Sequence, residues 1–95
     1  MLGVLVGLLV GVALVAVAYL AFSTLRKWFR ENTQVDKDNV RAVFQEALAN
    51  GDYKVVQCGF NRRTRQVTAV KGYRASQRDR ELIDKGSCAI IREEC

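Results

Sequence analysis

The hydrophobic and polar positions are segregated along the chain. Residues 1–25 carry no charged side chain, and Met1 to Phe22 is built only from Met, Leu, Val, Gly, Ala, Tyr and Phe. A helix over that run spans roughly 33 Å, enough for a hydrocarbon core of about 30 Å. The pattern predicts an uncleaved transmembrane helix. A signal peptide would start with basic residues and carry a shorter apolar stretch. Here no Lys or Arg precedes the run, and Tyr19-Leu20-Ala21-Phe22 carry it past the cleavage-like Ala16-Val17-Ala18. A buried core helix is the third reading. Leu25, Trp28 and Phe29 keep helical spacing, so the helix is expected to continue through the membrane interface to about Glu31.

Residues 32–39 turn polar and form a short connector, with Asp36 and Asp38 as candidate N-caps. Val40, Val43, Phe44, Ala47 and Leu48 then fall on one face of a helix, and Asn50-Gly51 follows as a stop signal. Tyr53–Phe60 and Gln66–Tyr73 are rich in β-formers and flank Asn61-Arg62-Arg63-Thr64, a β-hairpin pattern. Pairing Phe60 with Arg65 puts Val56, Cys58, Phe60, Val67 and Ala69 on one face and Tyr53 beside Gly72. It also sets Lys54 opposite Lys71, an unfavourable pair, so the register is open by about one residue or a bulge sits at Gly59 or Gly72. Ser76 and Asp79 begin a short helix with Leu82 and Ile83 as its buried candidates, Gly86 ends it, and Ser87–Arg92 supplies a last strand. The expected fold is a membrane-anchored α+β chain. It has a transmembrane helix with an interfacial end over residues 1–31, a connector over 32–39, and a small α-β-β-α-β domain over 40–95.

Charge adds a direction. Arg26, Lys27 and Arg30 follow the apolar run closely, and with Trp28 and Phe29 they form the expected interfacial anchor. Basic residues stay on the cytoplasmic side, so the predicted topology is single-pass, with the N-terminus outside and the C-terminal domain in the cytoplasm or an equivalent inner compartment. Within the run, Gly3, Gly7 and Gly11 repeat every four residues, and Ala18 extends the same face. Such a glycine zipper lets helix backbones approach in lipid, pointing to association with other membrane subunits or with a second copy. Glycine is also common in transmembrane helices without any such role.

The chemistry is narrow. The 95 residues contain no His, three Cys and no Pro. Histidine-based nucleophile systems and His-containing metal sites are excluded, and Cys58, Cys88 and Cys95 form no C-x-x-C. No metal, cofactor or catalytic constellation is predicted, and the chain is read as a non-enzyme. The net charge of +5 hides a denser block: residues 62–80 hold Arg62, Arg63, Arg65, Lys71, Arg74, Arg78 and Arg80 against Asp79 alone. Arginine's planar fork suits carboxylates and phosphates. An acidic protein surface and anionic lipid are the expected partners besides the bilayer itself. Nucleic acid ranks below them, with Phe60 and Tyr73 as the available stacking rings, and a solvated face with no ligand is the plain alternative. The expectation is a structural or accessory subunit of a membrane assembly; the alternative is a tethered module engaging anionic lipid or nucleic acid through the arginine-rich hairpin. In a reducing compartment Cys58 and Cys88 are small core residues, and in an oxidising one they are candidates to bridge neighbouring strands.

Overall fold

A computed structural model describes residues 12–34 and 36–91. In chain order the elements are β1 (Leu14–Leu20), α1 (Phe22–Asn32), β2 (Asn39–Ala47), β3 (Tyr53–Asn61), β4 (Gln66–Arg78), α2 (Arg80–Asp84) and β5 (Cys88–Ile91). The strands form one five-stranded sheet in the order β1-β4-β3-β2-β5. β1 lies parallel to β4, and the other pairings are antiparallel.

This architecture overturns the membrane-anchored fold. Among the described residues no helix is long and apolar enough to cross a membrane. The described part of the charge-free run instead forms a strand, Leu14–Leu20, that passes through the extended Ala21 (φ −98°, ψ 148°) directly into α1. The single-pass topology and the placement of a cytoplasmic domain behind an anchor are therefore unsupported. Alternation decides the local structure: Val15 and Val17 face one side of the sheet opposite Tyr73 and Ala75, while Ala16 faces the other opposite Arg74. A side chain at Gly72 would meet Leu14 Cδ2 at 2.8 Å and the Ala13 carbonyl oxygen at 2.9 Å, so glycine there is what lets β1 lie close. Gly3, Gly7 and Gly11 lie outside the described residues. Ala18, assigned to the same stripe, is an exposed strand residue.

The segment from Val40 to Leu48 is also a strand rather than a helix, for a different reason. β2 is central, so both of its faces are buried: Arg41, Val43 and Gln45 on one side, Ala42 and Phe44 on the other. With Arg41 and Gln45 as polar members of a buried face, the strand shows no clean alternation, and its remaining apolar residues fit helical spacing. The hairpin is present, but its register differs from the expected one. Tyr53 pairs with Ala75, Lys54 with Arg74 and Lys71 with Gln57, and a register shift at Gly59/Phe60 brings Phe60 opposite Val67. Lys54 therefore faces Arg74 in place of Lys71, so a like-charge pair remains, with Asp52 3.9 Å from Arg74; Tyr53 does not cover Gly72, and Ala69 pairs with Gly59 on the face opposite Val67's.

The sheet carries a cluster on each face. On one side Phe22, Leu25 and Phe29 of α1 and Leu82 of α2 pack on Val43, Val55, Tyr73, Ala75 and Ile91, with Trp28 half-buried at the rim. Full burial of such aliphatic and aromatic side chains is worth about 1.5–3 kcal/mol each. Phe29 is 0% exposed, so the expected interfacial anchor is a core-packing helix whose aromatic stripe meets protein instead of lipid. On the other side Ala42, Phe44, Val56, Cys58 and Phe60 form a second cluster, with Val12, Val40 and Val67 against it.

Three buried polar side chains of the central strands fasten the helices down. Arg41 donates from Nε to Thr33 Oγ1 (2.7 Å) and from Nη2 to the Phe29 carbonyl (3.2 Å), placing a cation at the C-terminal end of α1. Gln57 donates to the Leu25 carbonyl at 3.1 Å and accepts from the Tyr73 hydroxyl at 2.6 Å. Gln45 donates to the Leu82 and Gly86 carbonyls at 2.7 and 2.8 Å.

The short helix begins later than expected, because β4 runs through Ser76 to Arg78 and Asp79 is the N-cap. Its carboxylate accepts from Leu82 N–H (2.9 Å) and from Phe22 N–H (3.1 Å), serving the first turns of both helices. Leu82 is buried, but Ile83 is 44% exposed, since a helix of five residues presents only one side chain to the core. Asp79→Ala is expected to cost roughly 1–2 kcal/mol, read as a lowered denaturation midpoint, because two N-terminal N–H groups lose their acceptor together.

Candidate anion-binding hairpin tip

The β3–β4 turn is organised by Asn61. Its Oδ1 accepts from the backbone N–H groups of Arg63 (3.0 Å) and Thr64 (2.9 Å), its carbonyl accepts from Arg65 N–H (2.8 Å), and its Nδ2 donates to Asn39 Oδ1 (3.0 Å). The last bond follows from register: Asn39 is the β2 partner of Asn61, which brings the loop before β2 alongside the tip. There the Arg62 guanidinium donates to the Lys37 carbonyl, and Arg62 N–H donates to the Asp38 carbonyl at 2.7 Å. Arg63 lies 3.9 Å from Asp38 while its own side chain stays 77% exposed. Lys37 thus joins the tip, a residue absent from the sequence-derived block. The asparagine pair that brings it there exists only through the β2–β3 register, so no signal in the sequence alone pointed to it.

Asp36 sits in the same loop but is locally engaged. It accepts from the Asn39 side chain and from the backbone N–H groups of Asn39 and Asp38. These bonds, the Asn39 side-chain contact foremost, hold its carboxyl below the usual carboxylate range. Beside it a pocket of about 200 Å³ is lined by Asp36, Asn39, Val40, Arg41, Arg62, Ile90 and Ile91.

Arg65 has φ of 60°, and it is the sole non-glycine residue with positive φ among the described residues. This left-handed conformation disfavours residues with a Cβ by roughly 1–2 kcal/mol. The turn therefore holds a strained arginine, exposed, at a position where glycine would fold more easily.

The remaining cations of the block do not join this corner. Lys71 and Arg74 stand midway along β4 on opposite faces; Lys71 lies 5.6 Å from the Tyr73 ring centroid, and Arg74 lies 3.9 Å from Asp52. Arg78, at the far end of β4, stacks 3.8 Å from the Tyr53 ring centroid and donates to Gln45 Oε1 at 2.8 Å. Arg80 pairs with Asp84 on α2 at 3.4 Å. A sequence block that looks continuous is therefore dispersed over the β3–β4 turn, both faces of the 13-residue β4 and the start of α2. Phe60 and Tyr73 are 0% and 4% exposed, so neither can serve as a stacking platform. In α1, Arg26 is engaged by Glu81 at 2.7 Å, and Lys27 and Arg30 are exposed.

Cys58 is fully buried and Cys88 exposed, both as free thiols. They do not sit on neighbouring strands. β2 lies between β3 and β5, which sets the two residues two strand spacings apart, beyond disulfide reach. Burial first, and the nearby Cys88 second, push the Cys58 thiol up to about 11, leaving it protonated and a poor nucleophile near neutrality.

Comparison with protein-family models, with curated proteins and with solved structures returns no match for this chain.

Proposed function

We propose that the protein is a non-enzymatic binding module that presents the tip formed by Lys37, Arg62, Arg63 and Arg65 to an acidic protein surface. The strained Arg65 carries this reading. A non-glycine residue held in the left-handed region marks a place where folding has yielded to another demand, and here the retained residue is an exposed arginine in the same turn as the exposed Arg62 and Arg63. Arg62 is tied to the loop before β2 through its backbone N–H on the Asp38 carbonyl at 2.7 Å, which holds the turn in place before any partner arrives and lowers the ordering cost of binding. The buried, protonated Cys58 supports binding over thiol chemistry.

The test uses fluorescently labelled polyglutamate, phosphatidylserine vesicles and a single-stranded oligonucleotide as probes. Polyglutamate should bind most tightly, with affinity falling as salt rises, and Arg62→Glu, Arg63→Glu and Arg65→Glu together should abolish it. Tighter binding to vesicles or the oligonucleotide, lost in the same triple variant, would assign the tip to lipid or nucleic acid instead. Binding indifferent to salt and to charge reversal would remove the tip's role altogether. Arg65→Gly supplies a separate sign: folding stability should rise by roughly 0.5–1 kcal/mol while polyglutamate binding weakens.

A further inference from the structure

The second surface is the outer edge of β1. Among the described residues its one neighbour in the sheet is β4, so its other edge presents N–H and C=O groups to whatever lies alongside. Edge strands are ordinarily guarded by charge, proline, a bulge or brevity. Leu14–Leu20 is seven residues long and holds no charged residue and no proline. Val15 and Tyr19 are 51% and 55% exposed, the two most exposed large hydrophobic residues described.

The strand is also complementary to itself. About Val17 as the centre, an antiparallel partner of identical sequence places Val15 opposite Tyr19, Ala16 opposite Ala18, and Val17 opposite its own copy. The exposed β-branched side chain then meets the exposed aromatic twice, on the sheet face that carries α1, and the small alanines meet on the opposite face. β-branched and aromatic residues are favourable cross-strand partners, and a two-fold axis through Val17 closes the assembly at two copies, leaving no free edge there.

We infer that β1 is a homodimerisation edge, joining two copies antiparallel across Val17 into one continuous sheet. This is independent of the hairpin tip, which lies at another part of the fold. The contact is small compared with a standard interface, so the dimer is a reversible one.

Sedimentation velocity on the full chain, from about 10 µM to about 1 mM, should show a monomer–dimer equilibrium. Val15→Lys with Tyr19→Lys sets like charges against each other at both pairs and should weaken dimerisation at least about tenfold, with circular dichroism unchanged. Val15→Lys with Tyr19→Glu instead places each lysine opposite a glutamate of the other copy. Within one chain the two positions are about 13 Å apart along the strand, too far to pair, so recovery of the dimer in that variant reports the antiparallel register. Monomer at every concentration would overturn the inference, as would a dimer indifferent to the double lysine variant or one not recovered by the lysine–glutamate variant.

Discussion

Phe29→Ala is expected to destabilise the fold by about 3–5 kcal/mol, the range for truncating a fully buried aromatic. Phe29 is 0% exposed and sits in the cluster between α1 and the sheet. Its ring also lies 5.6 Å from the Arg41 guanidinium, and its carbonyl accepts from Arg41 and Thr33. Small domains are typically stable by only about 5–15 kcal/mol, so a large share of the folded population is lost. The chain's single tryptophan reports the change directly, because Trp28 packs edge-on to Phe29 with ring centroids 5.7 Å apart. Urea denaturation followed by Trp28 fluorescence should show the midpoint collapse. A shift below about 1 kcal/mol would mean that Phe29 faces something other than this core, as the interfacial reading of α1 required.

Gln57→Leu is expected to cost about 2–4 kcal/mol. The change removes the hydrogen bond to the Leu25 carbonyl and leaves the buried Tyr73 hydroxyl without its acceptor; an orphaned buried polar group costs about 1–3 kcal/mol and a lost bond about 1 more. Adding Tyr73→Phe removes the orphan, so the double variant should be more stable than Gln57→Leu alone. A double variant that is less stable would show that the two residues are not coupled as drawn. The same tyrosine gives a pH signature. Burial raises its hydroxyl to about 12 from an unfolded value of 10.0, so the unfolded chain releases the proton first. The stability this group contributes is complete below pH 10 and is lost as pH rises towards 12. Tyr73→Phe should flatten that alkaline decline in part, since Cys58, raised to about 11 from 9.0, loses its contribution over a partly overlapping window.

What the sequence shows depends on whether one periodicity excludes the others. The hairpin around residues 61–65 and the last strand rest on local signals, namely turn residues, polar breaks and β-branched runs, and both are present, whereas of the helix expected over residues 1–31 only Phe22–Asn32 is helical among the described residues. β2 was hidden because Arg41 and Gln45 on a buried face spoil its alternation. β1 was hidden because alanine alternating with valine reads as uniformly apolar when small residues face one side. Site residues show the same limit. Arg62, Arg63 and Arg65 share a turn and stay together, whereas Lys71, Arg74 and Arg78 were neighbours only in number, since strand geometry moves the chain about 3.3 Å per residue and flips successive side chains. Lys37 came to the tip through the Asn39–Asn61 pairing, which is tertiary information.

The parallel pairing of β1 with β4 also sets an order of assembly. β2, β3 and β4 are joined by short turns and can meet early, but β1 reaches its place only after the whole intervening chain has folded back to present β4. Contacts of such long sequence separation form late and slow the folding of sheet proteins. β1 is therefore expected to be the last strand to dock and the first to open. Amide hydrogens from Leu14 to Leu20 should exchange well before those of Tyr53 to Asn61, and a nascent chain would carry its most apolar strand unpaired until synthesis has passed β4.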